Sequence, residues 1–329
     1  MSLALLRTAE PFCVAASIEA VRTATRSRLT LPLDLSLSGR RPTLEVVRHT
    51  LRPGGGLAKL DAFVASPEYP RGVLFYFPGF NTPLGHWEMA KCQYLAAATG
   101  LQVVITEIPG MSRYGAPIPR AVRVDMLHGM VSSWADLNLR YVEAALEAAE
   151  IADPELVHVL GYSTGCSLAT AALPTLTEWG PIRGLSLVEP VAISRRNIMS
   201  LHAHNMLDLG RMPAALATNL GHDWVMRAYS GERRNTRVKY GPVDLLAIAT
   251  VLASDDLRQR LEGIVVQRCA LVRGARSSLC RQRDFDQVDA SLAERGIPGP
   301  TITVENLGHQ LWHSFPTITA LAGLMLTEP

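Results

Sequence analysis

One stretch constrains this chain more than any other. Val157-His158-Val159-Leu160 leads into Gly161-Tyr162-Ser163-Thr164-Gly165, and Cys166-Ser167-Leu168-Ala169-Thr170-Ala171-Ala172-Leu173 follows at once. A β-branched apolar run, a Gly-x-Ser-x-Gly and an Ala/Leu-rich segment give the order strand, sharp turn, helix. The turn puts Ser163 in a strained backbone conformation, and glycine on either side lets strand and helix close together. The serine oxygen is lifted clear of the backbone, at a helix N-terminus whose amides favour negative charge. With glycine and serine each near roughly 7% of residues, the bare pattern arises by chance in about one such chain in ten. The flanking strand and helix supply the specificity that the pattern alone lacks.

The surroundings fit one large α/β domain with an insertion. The chain has 329 residues, 48% of them hydrophobic and 19% charged, which favours a substantial core over disorder. A net charge of +2 gives no reason to expect a nucleic acid partner. Five cysteines (Cys13, Cys92, Cys166, Cys269, Cys280) are scattered without a C-x-x-C pair. Their odd number and spacing argue against a disulfide framework or zinc site and for a reducing compartment. Arg7, Glu10 and Glu19 interrupt the apolar pieces of the N-terminus, and no run approaches a membrane span. The expectation is a soluble, cytoplasmic protein with no metal and no membrane partner. A homodimer is left open.

Residues 1–30 read as one or two helices. Residues 44–51 and 57–65 read as strands of a hairpin, joined by Pro53-Gly54-Gly55-Gly56. That glycine cluster lacks the lysine and following helix of a phosphate loop. Residues 72–77 and 101–106 are near-continuous apolar runs, expected as strands buried on both faces. Helices are expected over 86–99, closed by Gly100, and over 126–151, closed by Asp153-Pro154. After the elbow helix, residues 182–188 form another strand. Residues 194–263 look helical throughout, with glycine breaks. Alternation then resumes with strands at 269–273 and 301–304 and helices at 285–295 and 317–326.

A serine hydroxyl is a poor nucleophile at neutral pH and needs a base, a group to orient that base, and donors for the oxyanion. Leu307-Gly308-His309 follows the last strand, and its glycine permits a tight loop, so His309 is the candidate base, with His313 as fallback. The oxyanion amides are expected from Thr164, after the nucleophile, and from Phe80, in Phe77-Pro78-Gly79-Phe80. The acid is less determined. The loop Gly274-Ala275-Arg276-Ser277-Ser278 carries no carboxylate, and Asp284 and Asp286 suit the start of a helix. Glu189 ends an apolar strand, where a charge is costly unless paired. Glu189 is therefore the first choice, Asp284 the second, and a site with no carboxylate or a water in its place the third. Three features read as structural. His202 and His204 lie on different faces of a helix, Cys166 packs beneath the elbow, and Arg233, Arg234, Arg237 and Lys239 form a solvated basic run.

On these residues the chain resembles the α/β-hydrolase superfamily. Gly161-Tyr162-Ser163-Thr164-Gly165 resembles its nucleophile elbow, and Gly308-His309 its histidine loop. Pro78-Gly79-Phe80 resembles its oxyanion loop, with Pro78 where histidine is usual. Pro109-Gly110-Met111-Ser112 is similar to its loop after the next strand. The resemblance implies a twisted, mostly parallel eight-stranded sheet flanked by helices, a helical cap, no cofactor, and the order nucleophile, acid, histidine. It divides the chain into an N-terminal helical extension (1–42), a hydrolase core (43–193 and 264–329) and a cap insertion (194–263). Ser277 stands where the usual acid would be; some members carry the acid after the preceding strand, where Glu189 falls. The expected activity is hydrolysis of an ester or thioester of a small, largely apolar acyl substrate. The alternatives are an acyltransferase using the same acyl-enzyme, and a non-catalytic protein of this fold that binds a small ligand under its cap.

Overall fold

The computed structural model describes residues 26–31, 42–152, 156–219 and 238–326. Residues 1–25, Cys13, and Arg233, Arg234 and Arg237 of the basic run lie outside that set. The strands are β1 (Arg26–Leu31), β2 (Val46–Leu51), β3 (Leu60–Ala65), β4 (Val73–Phe77), β5 (Gln102–Thr106), β6 (Val157–Tyr162), β7 (Ile182–Val188), β8 (Cys269–Gly274) and β9 (Gly299–Val304). They form one nine-stranded sheet in the order β1-β9-β8-β7-β6-β4-β5-β3-β2. Pairing is parallel except where β3 meets β2 and β5.

Side-chain alternation explains why the sheet is buried on both faces. Val73, Phe75 and Phe77 of β4 enter one apolar cluster, while Leu74 and Tyr76 enter the other. Val157 and Val159 of β6 likewise oppose Leu160 and Tyr162. The first face is covered by α3 (Val131–Ala148), α4 (Thr164–Trp179) and α9 (Gln282–Glu294), the second by α1 (His86–Thr99) and α10 (Phe315–Leu326). Each large apolar side chain withdrawn from water this way contributes about 2 kcal/mol.

Two expectations change. The sheet has nine strands rather than eight, because residues 26–31 form an edge strand instead of ending a helix. Their partners are remote in sequence: Arg26 Nε binds Asp289 Oδ1 at 2.7 Å and Arg26 Nη2 binds Thr301 Oγ1 at 2.8 Å. No local pattern reveals such contacts. The single helix expected over 126–151 is two, α2 (Arg120–Leu127) and α3. Gly129 separates them with φ of 84°, and a Cβ there would lie 2.9 Å from Ser254 Oγ. A left-handed glycine pressed against a neighbour breaks the helix although the apolar periodicity continues across it.

Between β7 and β8 the chain forms α5 (Ile198–Leu209), α6 (Met212–Ala217), α7 (Pro242–Ser254) and α8 (Leu257–Glu262). Residues 220–237 of this segment are outside the described set. Because β4, β6, β7, β8 and β9 run parallel, their carboxyl ends share one rim. That rim gathers the loops bearing Phe80, Ser163, Glu189, Ser277 and His309. Among the described residues, no helix is long and apolar enough to cross a membrane.

Candidate active site

Ser163 sits between β6 and α4 at φ 57° and ψ −120°. This left-handed strain is held from both sides. Ser163 N–H donates to Val188 O at 2.9 Å. A Cβ on Gly161 would lie 2.6 Å from Cys166 Cα, and one on Gly165 2.0 Å from Phe77 O. Neither position accepts a larger residue, which is the steric demand behind the two glycines.

Ser163 Oγ lies 2.8 Å from His309 Nε2, and His309 Nδ1 lies 2.9 Å from Glu189 Oε2. All three side chains are buried. A carboxylate can only accept, so Nδ1 is the protonated nitrogen and Nε2 accepts from the serine hydroxyl. His309 opens a 3₁₀ turn (His309–His313) directly after Gly308. Tyr162, the residue before the serine, donates its hydroxyl to His309 O at 3.1 Å and stacks its ring on the imidazole at 5.6 Å.

Glu189 follows β7 at φ 55°, and its N–H donates to Val272 O at 2.8 Å. Its carboxylate accepts from three donors: Gly274 N, Ser277 Oγ at 2.6 Å and His309 Nδ1. That satisfies a carboxylate with no solvent exposure, which would otherwise carry a large burial cost. The second carboxylate candidate, Asp284, is elsewhere: it accepts from Ser194 Oγ at 3.0 Å and Arg196 Nη2 at 3.4 Å in the first turn of α9. Ser277 is not an empty substitute for an acid, because its hydroxyl tops the carboxylate that β7 supplies.

The loop after β4 lies against the serine. A Cβ on Gly79 would come within 3.2 Å of Ser163 Cβ. Thr164 is the first residue of α4, so its N–H has no acceptor within the helix. Phe80 stands at the rim, about a third exposed, its ring 6.3 Å from that of Tyr240.

The sequence pattern of the alpha/beta hydrolase family matches residues 74–320, most of the chain, and it spans β4 to α10. The chain belongs to the alpha/beta hydrolase family. No curated protein sequence matches it. Among solved structures, the thioesterase domain from the curacin biosynthetic pathway shares 20% identity over 86% of this chain and 100% of its own, at a TM-score of 0.52. A thermostable carboxyl esterase from Bacillus coagulans shares 13% over 80% and 91%, also at 0.52. E-2-(acetamidomethylene)succinate hydrolase shares 15% over 84% and 97%, at 0.53. At these identities the likeness concerns the fold.

Other residues of this alpha/beta hydrolase that drew attention in the sequence have local roles. His313 is half-buried, and desolvation, with Lys91 and His309 nearby, holds its protonation well below the usual histidine range. Its ring lies beside Trp87, at 6.2 Å between centroids. His204 Nδ1 is bonded to Ser200 O at 2.6 Å. Among the described residues, no group of three or more His, Cys, Asp or Glu is arranged to hold a metal ion. Cys166 Sγ donates to Gly161 O at 3.1 Å, and burial pushes the thiol up. Lys239 pairs with Ser112 through its backbone, N–H to O at 2.8 Å. The sequence reading did not find the contacts that Tyr162, Ser277 and Asp208 make around this group of residues. Asp208 had a local signal, since an acid in the last turn of a helix opposes the helix dipole and needs an outside partner.

Proposed function

We propose that this chain is a serine hydrolase cleaving an ester or thioester of a small, largely apolar acyl substrate through an acyl-enzyme on Ser163. The observation that carries the reading is the unbroken line of hydrogen bonds from Ser163 Oγ through His309 to Glu189. Ser163 attacks the carbonyl carbon while Nε2 of His309 takes its proton. Glu189 keeps Nδ1 protonated and stabilises the imidazolium. The amides of Phe80 and Thr164 bind the oxygen on which charge develops, a role worth about 10²–10³ in rate per donor. The imidazolium then passes its proton to the leaving oxygen or sulfur. Water, deprotonated by His309, cleaves the acyl-enzyme and restores Ser163.

The helices between β7 and β8 act as a cap over this rim. Met199, Met206 and Leu207 of α5 and Val243 and Leu246 of α7 are exposed, as is Tyr240 beside Phe80. That supports an apolar acyl group as the part recognised. The test is a panel of p-nitrophenyl esters and acyl thioesters of increasing chain length, with products identified by mass spectrometry with and without an alcohol or thiol acceptor. Turnover to free acid that vanishes in Ser163→Ala supports the reading. Transfer to acceptor in preference to water would make the protein an acyltransferase. Activity unchanged in Ser163→Ala, or no turnover of any ester or thioester, would overturn it.

A further inference from the structure

Asp208 is fully buried at the end of α5, where the helix dipole disfavours an acid. Its carboxylate accepts from Ser278 N at 2.9 Å and Leu279 N at 2.8 Å. It also pairs with Arg211 Nη1 at 3.0 Å. Arg211 continues the contact, donating to Ser278 Oγ at 2.7 Å and to Arg276 O. The same two residues abut the histidine loop: a Cβ on Gly308 would lie 3.2 Å from both Arg211 Cδ and Asp208 Oδ1. Asp208 of α5 and Arg211, between α5 and α6, therefore grip the loop after β8 from both sides of Ser277 and abut the residue before His309.

Ser277 is what that loop delivers. Its Oγ donates to Glu189 Oε2 at 2.6 Å and accepts from Cys280 N at 3.1 Å. Glu189 Oε2 is also the oxygen facing His309 Nδ1. One carboxylate oxygen is thus shared by a hydroxyl and an imidazole. Donation from Ser277 draws charge from that oxygen and tempers its pull on the protonated histidine. Within its own loop Ser277 is tied by its N–H to Gly274 O at 3.0 Å and by its Oγ to Cys280 N–H, so the aim of the hydroxyl depends on how residues 276–279 are held.

We infer that Asp208 and Arg211 are positioning residues: they hold the Ser277 hydroxyl on Glu189, so docking of the inserted helices sets the geometry and basicity of the base. This rests on the reading of Ser163, His309 and Glu189 given above. The groups around the His309 imidazole are Tyr162 of β6, Ser163 directly after it, Glu189 after β7, and His313 of its own turn. Lys91 on α1, paired with Glu88 at 2.6 Å, lies under the Tyr162 ring at 5.9 Å.

The experiment is a double-mutant cycle of Arg211→Met and Ser277→Ala. The Arg211 side chain is 40% exposed, so its replacement leaves the core packed. The readouts are kcat and KM across pH on the best ester of the panel, melting temperature, and fluorophosphonate labelling of Ser163. Each single variant is expected to lose about tenfold in kcat with KM within about twofold, the size of one lost hydrogen bond to a charged group. Each is also expected to move the acid limb of kcat/KM to higher pH, because Glu189 then pulls harder on the protonated histidine. The double variant should be no worse than the poorer single one. Additive losses, a change in KM alone, or a loss of kcat with an unmoved acid limb would overturn the inference while wild-type labelling leaves the hydrolase reading standing. Failure of the wild type to label or turn over would overturn both.

Discussion

The carboxyl ends of β6 and β8 lie at the same rim and are built on opposite plans. At the end of β6, five consecutive residues contain everything the turn needs. Gly161 and Gly165 clear the space, and Ser163 takes the strained conformation between them. At the end of β8, Ser277 has a lighter local frame, its N–H on Gly274 O at 3.0 Å and its Oγ accepting from Cys280 N–H at 3.1 Å. It is placed through Glu189, 88 residues away, and its neighbour Ser278 through Asp208, 70 residues away. Steric demands between neighbours along the chain leave a mark in sequence. Demands met by charge and hydrogen bonds across the fold leave only an ordinary serine and an ordinary aspartate.

Substitution at the two ends should break in different ways. The largest effect is expected from Gly165→Ala. A methyl 2.0 Å from Phe77 O cannot be accommodated, and a loss of more than about 4 kcal/mol would remove the folded protein. Circular dichroism and soluble yield check this; a folded, stable Gly165→Ala would mean the elbow is not held by contact. The next effect separates chemistry from folding. Glu189→Gln should cut kcat about 10³–10⁴-fold through the wrong histidine tautomer while the protein stays folded. Asp284→Asn should leave kcat/KM within about threefold and lower stability by about 3 kcal/mol, since Arg196 loses its buried partner. Steady-state kinetics beside urea unfolding of both variants would show whether the two carboxylates divide the work this way.

The smallest effect is at the other end of β6, away from the rim. Burial of His158, with Arg268 and Arg183 nearby, lowers its protonation to about 4 from 6.5. As pH falls, the unfolded chain takes up this proton near 6.5 and the folded chain only near 4. The stability it confers is therefore complete above 6.5 and declines as pH falls towards 4, by up to about 3 kcal/mol. His158→Gln should flatten that part of the stability profile in urea melts at pH 7 and 4.5, with kcat unchanged at pH 7.

Much of the fold was legible in the sequence for the reason the β6 end was. Near-continuous apolar runs announced β4, β5 and β6, and Gly100 closed α1 at φ 70° where the sequence predicts. Ser163 and His309 were legible because a motif and a glycine-preceded histidine follow strands in order. Glu189 was legible through its misfit, a charge ending a buried strand. β1 was not, because its support comes from Asp289 and Thr301 across the sheet. The split at Gly129 was not, because the obstruction is a side chain from α7. The partnership of Ser277 with Glu189 was not, because a hydroxyl takes its meaning from whichever group it faces.

The proposed activity requires Ser163 to be a nucleophile activated by His309 and Glu189. It is tested most directly by fluorophosphonate labelling, with the modified residue located by tandem mass spectrometry. A single adduct on Ser163 is expected in the wild type, none in Ser163→Ala, and labelling slowed at least about a hundredfold in Glu189→Gln. No adduct in the wild type, or equal labelling after Ser163→Ala, would contradict it.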